Sequence, residues 1–280
     1  ADVASVKNGI ITARKAGETI ITVKTTDGGF TAECRVTVKT AVEPKQESGI
    51  YQIGTPEELV WFAKKVNGGE NALSAVLTSD IDLSEINWTP IGGNTVKFGG
   101  TFDGAGHVIR NLSVDYATKA SGERVYLGLF GCVEGTKDAH AVIKNFTVSG
   151  SVTAKSDYSV YSGNIAGVVA DGKHLDLSDV VSRVAVNADE NTGKACGVGG
   201  FAGVMVDCTV TDCGNEGNVS GVKDIGGFCY ELYAGTMTGC YNTGNVTAAG
   251  TYVGGIMGYA KNATIQNVYN RGAVSTTRNM

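Results

Sequence analysis

The sequence predicts an all-β protein dominated by a right-handed parallel β-helix, and three observations carry that expectation. The first is a repeat: the element Asn-x-Gly-x-Val starts at residues 215, 242 and 270. A fixed period of this size implies stacked supersecondary units, none of which buries its apolar face alone. The second is a set of apolar columns. Ile109, Ile143, Val181, Val210, Met237 and Ile265 form one, and Leu112, Phe146, Val184, Cys213, Cys240 and Val268 follow three residues later. Leu129, Ile165, Phe201, Phe228 and Ile256 form another. In-register stacking turns each column into a ladder with neighbouring strands about 4.8 Å apart, and the connections are too short for crossover helices. The third is composition: 40 glycines against 3 prolines in 280 residues suit many short strands joined by tight turns.

Glycine recurs just before the last of these columns, at Gly128, Gly200, Gly227 and Gly255, with Asn164 in its place once. The expectation is a corner that turns through positive φ, where glycine and then asparagine are best tolerated. A net charge of −5 with no Lys/Arg cluster makes nucleic acid and anionic membrane poor partners. No apolar run reaches the roughly 18 residues of a membrane span. With no signal peptide and no initiator Met, the chain reads as a piece of a longer protein. Seven cysteines contain no C-x-x-C pair, and His107, His140 and His174 lie far apart in sequence, which argues against zinc. No pattern calls for a cofactor.

The first strands are short. Asn8-Gly9 between apolar runs signals a two-residue hairpin. Thr19 to Lys24 reads as the next strand, with a turn at Thr26-Asp-Gly-Gly29. From Ala32 the pattern alternates, placing Ala32, Cys34, Val36 and Val38 on one half-buried face. The stretches 3–13, 16–23 and 31–38 together resemble the second half of a bacterial immunoglobulin-like group-2 domain. The resemblance implies a partial Ig-like β-sandwich over residues 1–40, used as a spacer on bacterial surface proteins. The polar stretch 41–49, with one proline, reads as a linker.

Residues 50–280 form the repeat region. Thr55-Pro56-Glu57-Glu58 is a helix start, with Thr as N-cap, Pro in the first turn and Glu three residues after the cap. Leu59, Phe62, Ala63 and Val66 follow at helical spacing, and Asn67-Gly68-Gly69 ends the helix, so a helix over about 56–66 caps the open end of the stack, joined by Trp61. Ala75 to Ser84 alternates as a strand. The step from Leu129 to Ile165, and again to Phe201, is 36 residues, which places added loops around 132–139, 155–161 and 171–176.

Tyr126-Leu-Gly-Leu-Phe-Gly131, Val198-Gly-Gly-Phe-Ala-Gly203 and Val253-Gly-Gly-Ile-Met-Gly258 resemble the bacterial GLUG-motif family. The segments at 163–167 and 225–230 depart from it slightly. The resemblance implies secreted or wall-attached, often adhesin-like bacterial proteins, sometimes as accessory regions of immunoglobulin-A-specific metallopeptidases. The His-Glu-x-x-His zinc motif of those peptidases is absent, so peptidase activity does not carry over.

Four groups of candidate residues stand out. Asp80 and Asp82 lie two apart on one strand face, as an acid/base pair for glycoside cleavage or as a solvated face. Asp103 and His107 read as a dyad or as turn chemistry. Cys213 and Cys240 are equivalent positions in adjacent repeats, where in-register spacing favours two free thiols over a disulfide. Tyr241 and Tyr269 stack one repeat apart on the outer face and, with Tyr158 and Tyr161 in a longer loop, are the candidate sugar-binding residues. The expected function is a non-catalytic, extracellular, adhesin-like module on the bacterial cell surface. It would bind host or matrix glycans or proteins as part of a longer surface protein. The alternatives are a polysaccharide lyase or glycoside hydrolase of the β-helix type, and a ligand-free stalk.

Overall fold

A computed structural model describes residues 2–7, 9–118, 124–156, 162–188 and 195–276. The chain divides into two units, Ala1–Glu43 and Pro44–Met280. The first holds two antiparallel pairs. Ala4–Lys7 pairs with Ile10–Ala13 around Gly9, whose φ is +79°, and Gly17–Lys24 pairs with Thr31–Val38. The face expected to be half-buried is mostly open. Ala32 and Cys34 are exposed and only Val36 and Val38 are partly covered, because a two-stranded ribbon has no second layer to bury it.

The segment expected as a linker, 41–49, is divided between the units, and from Pro44 on it belongs to the second. Lys45–Glu47 folds back antiparallel on Ile50–Ile53, which then pairs in parallel with Ser74–Leu77. The helix Pro56–Asn67 has the capping box its sequence demands: Glu58 N–H donates to Thr55 Oγ1 at 3.2 Å, and Glu58 Oε2 accepts from Thr55 N–H at 3.0 Å. Its buried face is Leu59, Phe62, Ala63 and Val66. Phe62 lies 6.0 Å from Phe98 and 6.2 Å from Phe102, and Trp61 packs 5.1 Å from Tyr51. The expected strand over 75–84 is two short ones, Ser74–Leu77 and Ile81–Asp82.

The unit is otherwise all-β, and its pairings after the opening hairpin are parallel. One sheet has seventeen strands, including the long Val108–Thr118, Ala141–Ser156 and Leu175–Ala188. A second has five: Tyr126–Leu127, Ser162–Ala166, Ala195–Gly199, Ile225–Gly226 and Val253–Gly254. The third also has five: Phe130–Glu134, Val169–Lys173, Ala202–Val206, Cys229–Tyr233 and Met257–Lys261. Each strand in the second and third sheets pairs with its counterpart one repeat later. One core, from Tyr51 to Ala248, runs through the unit.

The register corrects the columns. Ile143 faces Phe102 on one side and Leu177 on the other, and Leu177 leads to Val210, Met237 and Ile265. Val181 is therefore displaced by four residues and pairs with Gly214, and Ile109 pairs with Ile81 and Val148. Phe146 faces Val180, while Val184 and Leu112 both face Gly150. Ile165 pairs with Leu127 and Val198, and it is Val168 whose N–H reaches Phe201 O at 3.0 Å. Around 132–139 the added length is a loop, with residues 135–140 between Glu134 and Ala141 where only His174 separates Lys173 from Leu175, whereas around 171–176 none is added, since Asp171 faces Val204 and Leu177 faces Val210. Cys132 and Glu134 face Asp171 and Lys173, and Val142 faces Asp176. Only part of 155–161 is described.

The glycine explanation also changes. Positive φ at the corners belongs to other residues: Asn145, Asp179, Asp212 and Asn267 at one, His174, Asp207, Ala234 and Asn262 at another, Asp224 and Tyr252 at a third. Gly128, Gly200, Gly227 and Gly255 are not among the positive-φ glycines. A Cβ on Gly200 would strike Gly227 O and the Asn215 amide, and one on Gly227 would strike Gly255 O and the Asn242 amide. Gly167, not Asn164, is their counterpart in its repeat, since a Cβ there would meet Gly200 O. Close approach of successive backbones demands glycine here.

Candidate functional site

Asp80 flanks Ile81–Asp82, and the buried Ile81 and Leu83 leave both carboxylates facing outward. Asp80 accepts from Val108 N–H at 3.0 Å and from Arg110 Nη2 at 2.7 Å, with His107 Nδ1 at 3.3 Å. Asp82 accepts from Asn111 Nδ2 and Ser84 N–H, each at 2.9 Å. The Val108 amide and then Arg110 hold Asp80 below the usual carboxylate range, and Asn111 and then Ser84 do the same for Asp82. Both groups tie one repeat to the next as anions.

Asp103 closes a local turn by accepting from Ala105 N–H at 2.8 Å, and it reaches the next repeat through Asn145 Nδ2 at 3.0 Å and Lys144 Nζ at 3.3 Å. Burial is the largest influence on its carboxyl and acts upward, yet these donors together keep it low. His107 meets Asp80, so the structure gives the imidazole a different carboxylate from the one the sequence suggested.

Tyr241 and Tyr269 pair in register, their rings 5.6 Å apart and 12° from parallel. The outer face of Tyr269 is covered by the Arg271 guanidinium at 5.2 Å, and Tyr241 lies over Gly214, where a Cβ would strike its ring. Tyr241 Oη donates to Glu216 Oε1 at 3.0 Å, and Glu216 Oε2 accepts from Arg183 Nε at 2.6 Å. Burial, then Glu216, pushes the Tyr241 phenol up to about 12. The pair is an axial stack whose faces are engaged, leaving ring edges for a ligand. Tyr158 and Tyr161 lie outside the described residues.

Cys213 and Cys240 are buried free thiols that donate weakly to Thr211 O at 3.3 Å and Thr238 O at 3.4 Å. Burial drives both thiols up, Cys240 to about 11, so neither is a nucleophile near neutrality.

Three arrangements escaped the sequence reading. The first is a buried amide ladder. Asn215 Nδ2 donates to Asn242 Oδ1 at 2.8 Å and to Gly217 O at 2.7 Å. Asn242 Nδ2 donates likewise to Asn270 Oδ1 at 2.7 Å and Gly244 O at 2.8 Å. The 27- and 28-residue steps are visible in the sequence, but a period alone does not say that the amides meet. The second is His140, whose Nδ1 lies 2.9 Å from Asp176 Oδ1 and whose ring is 5.8 Å from that of His174. The third is a tyrosine set, Tyr230, Tyr252 and Tyr259, gathered from two repeats. No spacing rule flags it, because Tyr252 sits at a corner and the others in a strand. Among the described residues no group of three or more His, Cys, Asp or Glu has metal-holding geometry. Among them, too, no helix is long and apolar enough to cross a membrane.

No family model matches the chain, and no curated protein matches it. Among solved structures, a Bacteroides ovatus protein described as a "putative immunoglobulin A1 protease" aligns with a TM-score of 0.49 at 18% identity, over 84% of this chain and 79% of that one.

Proposed function

We propose that residues 44–280 wind as a right-handed parallel β-helix of GLUG-type repeats, closed at one end by the helix. In this reading residues 1–43 are part of a bacterial Ig-like group-2 domain. The whole is a non-catalytic, adhesin-like module of an extracellular bacterial surface protein. The observation that carries the reading is the register. Parallel in-register pairing presents like side chains at one fixed spacing of about 4.8 Å, as with Tyr241 over Tyr269 and Thr247 over Ser275. A rigid surface of this kind suits recognition of an extended glycan or a host or matrix protein. The use of Asp80, Asp82 and Asp103 as ties between repeats fits the same view. A glycan-array and matrix-protein binding screen, run beside a reducing-sugar release assay, tests it: binding without sugar release is the expected result.

A polysaccharide-cleaving enzyme is the second reading, and one observation favours it. Asp171, Val204 and Glu231 follow one another in a single column of the third sheet. Burial, first among several influences, raises the Asp171 carboxyl, and glycoside hydrolysis uses one protonated and one ionised carboxyl group. Sugar release that disappears in Asp171→Asn would make this the leading function, and release lost in Asp80→Asn would point instead to Asp80 and Asp82.

A further inference from the structure

Tyr230 of the third sheet reaches over Gly197 of the second, and Tyr252 and Tyr259 of the following repeat lie close enough to act on its phenol. Tyr230 lies between Cys229 and Glu231, opposite Gly203 in the repeat before and Gly258 in the repeat after. Its ring occupies the space those repeats leave free. A Cβ on Gly197 would sit 2.6 Å from Tyr230 Cδ1, and one on Gly258 would sit 2.9 Å from Cδ2. Tyr230 is partly buried, its phenol pushed up to about 12 by burial and then by Asp224, Glu231, Tyr252 and Tyr259.

Around this fixed ring stand two open ones. Tyr252, at a left-handed corner with φ +56°, is 59% exposed, and Tyr259, paired in register with Glu231, is 38% exposed. Two carboxylates complete the set. Asp224 pairs with Lys223 at 3.1 Å, whereas Glu231 has no ion pair among the described residues. Aromatic faces with hydrogen-bond acceptors, and an excess of negative charge, match one class of ligand. Pyranose rings present C–H faces to aromatics and donate hydroxyl protons to carboxylates, while a uronic acid would be repelled.

We infer that Tyr230, Tyr252 and Tyr259, with Glu231 and Asp224, form a binding site for an uncharged oligosaccharide. The repeat spacing of about 4.8 Å is close to the rise of one pyranose along an extended chain, so successive sugars meet successive repeats. This assignment rests on the binding-module reading and gives it a ligand class and a place distinct from Tyr241 and Tyr269.

The test is isothermal titration of the whole chain with cello-, manno- and xylohexaose as neutral probes and with hexagalacturonate as the anionic one. At least one neutral hexamer binds, and Tyr252→Ala and Tyr259→Ala each weaken it tenfold or more with an unchanged melting temperature, as expected for exposed rings. Thr236→Ala, at an exposed position of the seventeen-stranded sheet, leaves the affinity unaltered. Binding that survives both Tyr252→Ala and Tyr259→Ala, or that prefers hexagalacturonate, overturns the site while leaving the module reading intact. Absence of binding by every neutral hexamer at millimolar concentration overturns the site as well. If the glycan and matrix screen is then also blank, the module reading falls with it.

Discussion

The two units of the chain use the same strand-forming residues to opposite effect. In the first, Ile10, Ile20, Val23 and Phe30 are exposed, and among its described residues only Ala4 is buried. In the second, Phe98, Phe102, Phe130, Phe201 and Phe228 are fully buried, with Phe201 and Phe228 stacked at 4.5 Å. Alternation of apolar and polar residues is present in both. What differs is layering, because a ribbon of two strands offers its apolar face to solvent, whereas three sheets built from stacked repeats enclose theirs. Strand propensity makes strands, and only enclosure makes a core.

The largest expected effect comes from charging the enclosed side. Phe228→Asp buries an unpaired carboxylate at a cost of several kcal/mol, so the later repeats should unfold well below the wild-type melting temperature. Unchanged melting would place this position outside the core. Next comes the register. Leu177→Ala should cost about 2–5 kcal/mol as a buried truncation, while Val181→Ala costs under about 1 kcal/mol. Urea midpoints in the reverse order would restore the column as first drawn from sequence. Asn242→Leu strands Gly244 O and the Asn215 amide, both of which it serves. At about 1–3 kcal/mol for each buried group left without a partner, about 2–6 kcal/mol is expected for the two, read from the same urea titration. A neutral result would mean the ladder contributes nothing beyond shape. The smallest effect is on the open unit, where Ile20→Ser should change stability by less than about 0.5 kcal/mol. A substantial loss of melting temperature there would show that its apolar face is covered after all.

Much of this organisation was legible in the chain itself. Thr55, Pro56 and Glu58 wrote the helix start, because a capping box is local and its partners are three residues apart. The same locality made the hairpin at Gly9 readable. The columns were half legible. Cys213, Cys240, Phe201 and Phe228 were placed in the core correctly, whereas Val181, Val184 and Ile165 were assigned to the wrong ladders. Each lies near an equally apolar neighbour, Leu177, Val180 or Val168, and hydrophobicity cannot choose between two such residues three or four apart. The candidate acids were found as residues but not as partners, since Asp80 answers to Arg110 and Val108 in another repeat. The tyrosine set was missed because its members share no period.

The sequence by itself determined the repeat, the strand content, the capping helix and the identity of most of the apolar interior. Those follow from short-range stereochemistry and from the recurrence of like residues. The tertiary structure decided which repeat position faces which, and why glycine stands where it does. It also decided that Asn215 and Asn242 are buried donors that join one repeat to the next. Such choices depend on hydrogen bonds and steric contacts between backbones 27 to 33 residues apart, where a carbonyl oxygen one repeat away excludes a Cβ. No local pattern encodes that distance.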